Sequence, residues 1–348
     1  MIYNLAAGLA KLGHNVSVLA SENSEIEGVN IIPVISKSFA ELPPFENQFY
    51  AEVAYLVIMA KKLQDISSDF DIVHNHTFPE YINLLVEKTL PIPMVTTLHA
   101  PITPELEDVL SKFPDSNIVA QSESYRKALR KVQIKWVVKG GIETNVFSYS
   151  EKPRDYLLWI GRLGKTKDSN GNFIDGKGVR DAIEVAEKTG KKLLMVGNVE
   201  DQEFYKRDVL PHLSNNIIWL SSSSSKQTHS QNQVAELIQG AKILIFSTKF
   251  EEAFGLVAAE ALSCGTPVIA YSRGSIPSIV KEGENGFLIK PSESVAGICK
   301  AVEKIYSMKD DAYLKMQRSA RKTVEENFTI EKMVLAYEKL YTELIDAL

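Results

Sequence analysis

The stretch that most constrains the fold runs from residue 241 to residue 267. Ala241-Lys242-Ile243-Leu244-Ile245-Phe246-Ser247 is a short run of large aliphatics, the pattern of a strand buried on both faces of a parallel sheet. Leu256 to Cys264 is apolar nearly all round, stops at Gly265 and meets Pro267 two residues later, so it reads as a buried helix with a stop signal. A strand, a tight turn at Gly255 and a helix leave the first free amides, near Gly255 to Val257, at the carboxyl edge of a sheet. Open α/β folds bind ligands at that edge, and a phosphate is favourable at a helix N-terminus.

Two carboxylates flank this helix start. Glu252 lies just before it and Glu260 eight residues on, so a helical rise separates them by about 12 Å at most. That is roughly the span from hexose to ribose in a nucleoside diphosphate sugar. Glu260 sits among Ala258, Ala259, Ala261 and Leu262, a setting in which a carboxylate needs a partner or a hydrogen-bonding ligand. Spacing alone leaves a second assignment open: Glu260 pairs with a core arginine, and Glu252 caps the helix.

The chain has 348 residues, 45% hydrophobic and 24% charged, enough for two globular domains with separate cores. A net charge of -5 carries no nucleic-acid signature. Cys264 and Cys299 are the two cysteines, which argues against a disulfide scaffold and for a reducing compartment. No apolar run approaches a membrane span, so the expected location is the cytoplasm.

The first half opens on a helix with Leu5, Leu9 and Leu12 on one face, closed by Gly13, followed by a strand from Asn15 to Ala20. Asp71-Ile72-Val73-His74-Asn75-His76 reads as a strand ending in two histidines at alternate positions, hence on one face. Ligands for a zinc site are not found near them. Met94 to Thr97 leads to His99 at a strand end, where active-site groups or loop-anchoring histidines are both expected. Residues 126–139 carry six basic side chains and no acid. Arg126, Lys127, Arg130 and Lys131 at helical spacing would share a face, either solvated or suited to a membrane surface. Gly140-Gly141 is a flexible turn fit for a domain junction.

The second half restarts the strand and helix alternation. Tyr156 to Ile160 is a strand, and Gly161-Arg162-Leu163 follows as a turn bearing a cation. A polar insertion, Lys165 to Asp175, separates it from Gly176-Lys177-Gly178 and a helix from Val179. Arg162 with Lys165, Lys167 or Lys177 would converge on a diphosphate, because cations stabilise charge building on a leaving phosphate. Lys192 to Val196 with Gly197 is the next strand and turn, and the serine run Ser221 to Ser225 reads as a loop.

Several motifs together resemble the retaining glycosyltransferases of family 4. They are Glu252 and Glu260 with seven residues between, Phe254-Gly255-Leu256, Gly161-Arg162-Leu163, Ala261 to Ile269, Gly283 to Leu288, and in the first half Leu12 to Val16, Asp71 to His76 and Thr97-Leu98-His99. The resemblance implies an α/β protein of GT-B fold, two Rossmann-like parallel-sheet domains facing across a cleft. Residues 1–150 would form the acceptor side, 151–325 the nucleotide-sugar side, and 326–348 a C-terminal helix packing back on the first domain.

It further implies transfer of a hexose from a UDP- or GDP-linked donor with retained configuration and no metal or other cofactor. The acceptor would be a saccharide, a lipid or a small molecule, with peripheral membrane contact as a further expectation. Glu252 would contact the hexose hydroxyls. The amides from Phe254 through Gly255 and Leu256 to Val257 would hold sugar and distal phosphate, Glu260 the ribose, Arg162 and Lys177 the diphosphate. His99 would lie near the reacting carbon, with Lys167, Gly197 and His76 as further candidates. The chain departs from the family in the insertion before Lys177, in Pro277-Ser278 where Pro-Glu is common, and in Gly140 where Asn is common. The family's first strand and glycine-rich loop are not found ahead of Met1. The alternative function is a non-catalytic sugar-nucleotide-binding or partner subunit with a reduced acceptor domain.

Overall fold

A computed structural model describes residues 1–347 other than 40, 44, 153 and 221–228, so the serine run Ser221 to Ser225 lies outside the described residues. The chain forms two compact units, Met1–Gly141 with Ile330–Leu348, and Ile142–Thr329.

The first unit holds strands β1 (Ser17–Ser21), β2 (Asn30–Ile35), β3 (Val73–Asn75), β4 (Met94–Thr97), β5 (Asn117–Ala120) and β6 (Trp136–Val137). All its pairings are parallel, but they form two sheets: β1 pairs with β2, and β3 to β6 follow in sequence order. No described strand joins β1 to β3. No side chain of β1 is fully buried, whereas every residue of β4 is. The opening helix Ile2–Lys11 turns Leu5, Ala6 and Leu9 inward, against Met333, Val334, Tyr337 and Leu340 of helix Ile330–Ile345. Gly8 is required at this crossing, because a β-carbon there would come within 2.4 Å of Val334.

The second unit holds β7 (Tyr156–Ile160), β8 (Leu193–Val196), β9 (Ile217–Trp219), β10 (Ala241–Phe246), β11 (Val268–Tyr271) and β12 (Gly286–Ile289). They form one parallel sheet in the order β12-β11-β10-β7-β8-β9. The chain winds outward through β8 and β9 on one side of β7, and through β11 and β12 on the other side of β10. The order therefore reverses between β7 and β10, which register Leu158 opposite Leu244. Apart from Lys242 their residues are apolar, and the central ones are covered on both faces, as a parallel sheet requires. Helix Val179–Thr189 turns Val179, Ala182, Ile183, Val185 and Ala186 onto one face, and helix Leu256–Ser263 buries Ala258, Ala259, Ala261 and Leu262 on the other. Leu262 is wholly inaccessible, so truncation to alanine costs about 2 to 5 kcal/mol.

The division between units falls at Gly141 and Ile142, not at 150, because Ile142 and Phe147 already belong to the second core. On the return, Phe328 closes the second core and Ile330 begins the helix that packs in the first. One expected element is shorter than its charge pattern suggests. The basic helix ends at Ala128, where Leu129 turns extended, and the amides of Arg130 and Lys131 bond the Glu107 carboxylate instead. Arg126 pairs with Glu123 and Lys131 with Asp108, so the four basic side chains do not form one helical face. No described helix is long and apolar enough to cross a membrane.

Candidate active site

In the second unit the candidate residues gather at the carboxyl ends of β7, β8 and β10, where the strand order reverses. Close backbone packing draws the turns together. Gly197, after β8, lies so near Gly161, after β7, that a β-carbon on it would overlap the Gly161 carbonyl at 1.4 Å. Gly161 in turn abuts the Trp159 ring and the Lys177 side-chain stem, with 3.2 Å between its notional β-carbon and Lys177 Cβ. Gly178 adopts φ 73° and packs on the Ser247 carbonyl that ends β10, where a β-carbon would stand 2.0 Å away. The Ser247 hydroxyl donates to the Gly178 carbonyl at 2.7 Å, and Trp159 Nε1 donates to the Lys177 carbonyl at 3.1 Å. These contacts fix the backbone of Lys177.

Lys177 Nζ forms an ion pair with Glu252 Oε1, with both side chains about three-quarters covered. Glu252 is held from the other side, its carbonyl accepting from the Ser275 amide at 3.1 Å while Gly274 packs on its backbone. Thus Glu252 does not cap the helix. Gly255 does, in a left-handed conformation with φ 94° and no side-chain cap. Its carbonyl accepts from Ala258 and Ala259, leaving the Leu256 and Val257 amides as first-turn donors without an intrahelical acceptor. Phe254 presents only backbone here, because its ring is buried edge-on against Phe328 at 5.5 Å.

The Glu260 carbonyl accepts from the Cys264 amide at 3.2 Å, but its carboxyl makes no hydrogen bond or ion pair among the described residues. Two arginines of this unit serve the other end of the helix: buried Arg154 donates to the Cys264 carbonyl at 2.8 Å and partly buried Arg321 to the Ser263 carbonyl at 3.1 Å. Burial pushes the Glu260 carboxyl up to about 7. A half-buried, unpartnered carboxyl needs donors from a ligand.

The remaining cations part company. Arg162 is exposed beside Lys177 and pairs with Glu200 at 3.3 Å. Lys167 is drawn away, bonded to Glu203 at 2.9 Å and seated 4.2 Å over the Phe173 ring within a tight hairpin that bridges Lys167 and Phe173. Among the described residues no group of three or more His, Cys, Asp and Glu side chains is arranged to hold a metal ion.

The first unit carries the histidines. His74 and His76 share a face as their spacing requires, with ring centroids 3.8 Å apart. His76 Nδ1 lies 2.9 Å from His99 Nε2, and Gln121 Nε2 donates to the Leu98 carbonyl at 2.8 Å and to His99 Nδ1 at 3.0 Å. The carbonyl accepts only, which orients the Gln121 amide and makes His99 Nδ1 an acceptor. Neutral His99 therefore carries its proton on Nε2 and donates to His76 Nδ1, placing the His76 proton on Nε2, which is buried without a partner among the described residues. Burial lowers all three imidazole pKa values, that of His76 to about 3. Glu80, wholly buried, accepts from the amides of His99 and Ala100 at 2.8 Å each and so fixes the strand end. Gln121 and Glu80 were not visible as site residues in the sequence, since neither falls in a motif with a chemical spacing.

Two parallel-sheet α/β units, one with a helix N-terminus, a paired lysine and glutamate and an unpartnered carboxyl at its sheet's switch point, define a glycosyltransferase of GT-B fold. The chain belongs to the glycosyl transferases group 1 family, whose pattern matches residues 143–323, while that of Glycosyltransferase Family 4 matches residues 1–146. It is 24% identical to the N-acetyl-alpha-D-glucosaminyl L-malate synthase of Bacillus anthracis, across 98% of this chain and 92% of that one. In structure it is similar to sucrose-phosphate synthase from Thermosynechococcus elongatus, with a TM-score of 0.79 at 17% identity, covering 100% of this chain and 93% of that one. It is also similar to Anabaena Alr3699/HepE in complex with UDP-glucose, with a TM-score of 0.73 at 15% identity, covering 100% and 95%.

Proposed function

We propose that this glycosyltransferase moves a hexose from a UDP- or GDP-linked donor to a hydroxyl acceptor with retained anomeric configuration and without a metal ion. The observation that carries this reading is the meeting of Lys177 and Glu252 at the switch point, in front of a helix whose Glu260 carboxyl lacks a partner. Lys177 and Arg162 take the diphosphate, the Leu256 and Val257 amides its distal phosphate, Glu252 a hexose hydroxyl, and Glu260 the ribose hydroxyls. In the transfer, the bond from the anomeric carbon to phosphate oxygen breaks as the acceptor oxygen bonds to that carbon from the same face. The acceptor proton passes to the leaving phosphate. Two cations and the helix N-terminus offset the charge that develops there, the part a divalent ion plays in other transferases.

A UDP-hexose is the first donor to try, because a structure of the same fold binds UDP-glucose. Calorimetric titration with a panel of UDP- and GDP-hexoses in EDTA tests the proposal. Saturable binding of at least one is expected, and binding of none would overturn it. Proton NMR of the product from an α-linked donor tests the stereochemistry: an α-linked product is expected, and a β-linked one contradicts retention.

A further inference from the structure

The Lys177 and Glu252 side chains neutralise one another. Building on the donor-site reading above, we propose that this ion pair discriminates between the sugar nucleotide and the bare nucleoside diphosphate. A diphosphate draws Lys177 onto its own oxygens and so takes it from Glu252. With a hexose attached, the sugar hydroxyls donate to the abandoned carboxylate, and both partners are satisfied again. Without the hexose, Glu252 keeps its charge in a partly covered position, without a donor and beside an anion. Breaking one half of a covered pair is costly when the other half is left unpaired. The site therefore accepts the loaded donor and resists the spent nucleotide, a discrimination built from an unfavourable contact with the wrong ligand.

Two nearby charges, Lys249 and Glu251, are engaged elsewhere. Lys249 pairs with Asp181 at 2.7 Å, and Glu251 accepts from the Gly274 amide at 2.5 Å and pairs with Arg273 at 3.4 Å. The backbones of Lys177 and Glu252 are each locked by close glycine contacts, at Gly178 and Gly274, so the side chains alone must exchange partners. The same exchange favours product release. Once the hexose has left for the acceptor, Glu252 loses its hydroxyl donors and recaptures Lys177, which weakens the hold on the diphosphate.

The test is calorimetry of wild type, Glu252→Gln, Lys177→Met and the double variant with UDP, GDP and their hexose conjugates. The signs are opposite for the two ligand classes. Glu252→Gln is expected to bind the bare nucleoside diphosphate roughly two- to tenfold tighter than wild type, and its hexose conjugate more weakly. In the Lys177→Met background the gain for the bare nucleotide disappears, because no cation remains to be released. If Glu252→Gln binds the bare nucleotide no more tightly than wild type, or gains equally without Lys177, the discrimination is refuted while the donor site stands. If wild type binds neither ligand class, the donor-site reading itself fails, and the inference with it.

Discussion

Replacing Glu260 by glutamine probes a carboxyl in the second unit that burial holds towards its neutral form. Burial raises its pKa from an ordinary 4.5 to about 7, so the folded state favours the neutral acid and the unfolded state ionises first. Its contribution to stability is full below about pH 4.5 and is lost as the pH rises towards 7. At about pH 8 the ionised carboxyl costs the folded protein up to about 3 kcal/mol, at roughly 1.4 kcal/mol per pKa unit. Glu260→Gln removes that charge and keeps the shape. Differential scanning calorimetry at about pH 8 should show the second unit melting higher, by about 10 °C at the upper limit for a unit of this size. At about pH 4 the two proteins should melt together. A saturating sugar nucleotide should reverse the order, because ribose hydroxyls bond the ionised carboxylate of wild type more strongly than the amide oxygen. A variant less stable than wild type at the higher pH, or a gain independent of pH, would refute the reasoning.

Gly178→Ala forces a β-carbon into the Ser247 carbonyl at a left-handed position. It should cost at least about 2 kcal/mol in urea unfolding, and it should weaken sugar-nucleotide binding by displacing Lys177. The buried, neutral histidines give the first unit an acid limit. Their unfolded forms take up protons below about pH 6.5, and His76, held to about 3, loses the folded state about 2 kcal/mol by about pH 5. Unfolding followed from pH 8 to 5 should show at least that loss, and His76→Asn should reduce it by the share of this one imidazole while His74 and His99 keep theirs. Lys167→Ala should change stability by under about 1 kcal/mol and leave donor affinity unaltered, since its partner Glu203 is on the surface. Lys177→Ala should lower that affinity about tenfold or more, as loss of a charged hydrogen bond to phosphate does.

Much of this site was legible from residue order, for reasons that differ between its parts. The strand Ala241–Phe246 and the helix Leu256–Ser263 announced themselves because burial on most sides demands a largely apolar run, broken here only by Lys242 in the strand and by Glu260 and Ser263 in the helix, and glycines mark both helix ends. The partner of Glu252 was not legible. Lys165, Lys167 and Lys177 are equivalent as letters, and the hairpin that carries Lys167 away depends on the Phe173 ring stacking on Phe204 at 5.1 Å. Nor did spacing say whether Glu260 faces an arginine, because Arg154 and Arg321 come from distant parts of the chain to bond the helix's last carbonyls. Local competition also shortened the basic helix, where Glu107, twenty-odd residues earlier, captures the amides of Arg130 and Lys131. Helix Gln231–Gly240 begins before its apolar residues do, because Ser230 and Gln233 close a reciprocal capping box.

The most direct measurement is a crystal structure with an unhydrolysed sugar nucleotide bound. The account predicts that the Lys177 and Glu252 pair has opened, with Lys177 on the diphosphate, Glu252 on a hexose hydroxyl and Glu260 on the ribose. A nucleotide held elsewhere, with the Lys177 and Glu252 ion pair intact, would contradict it.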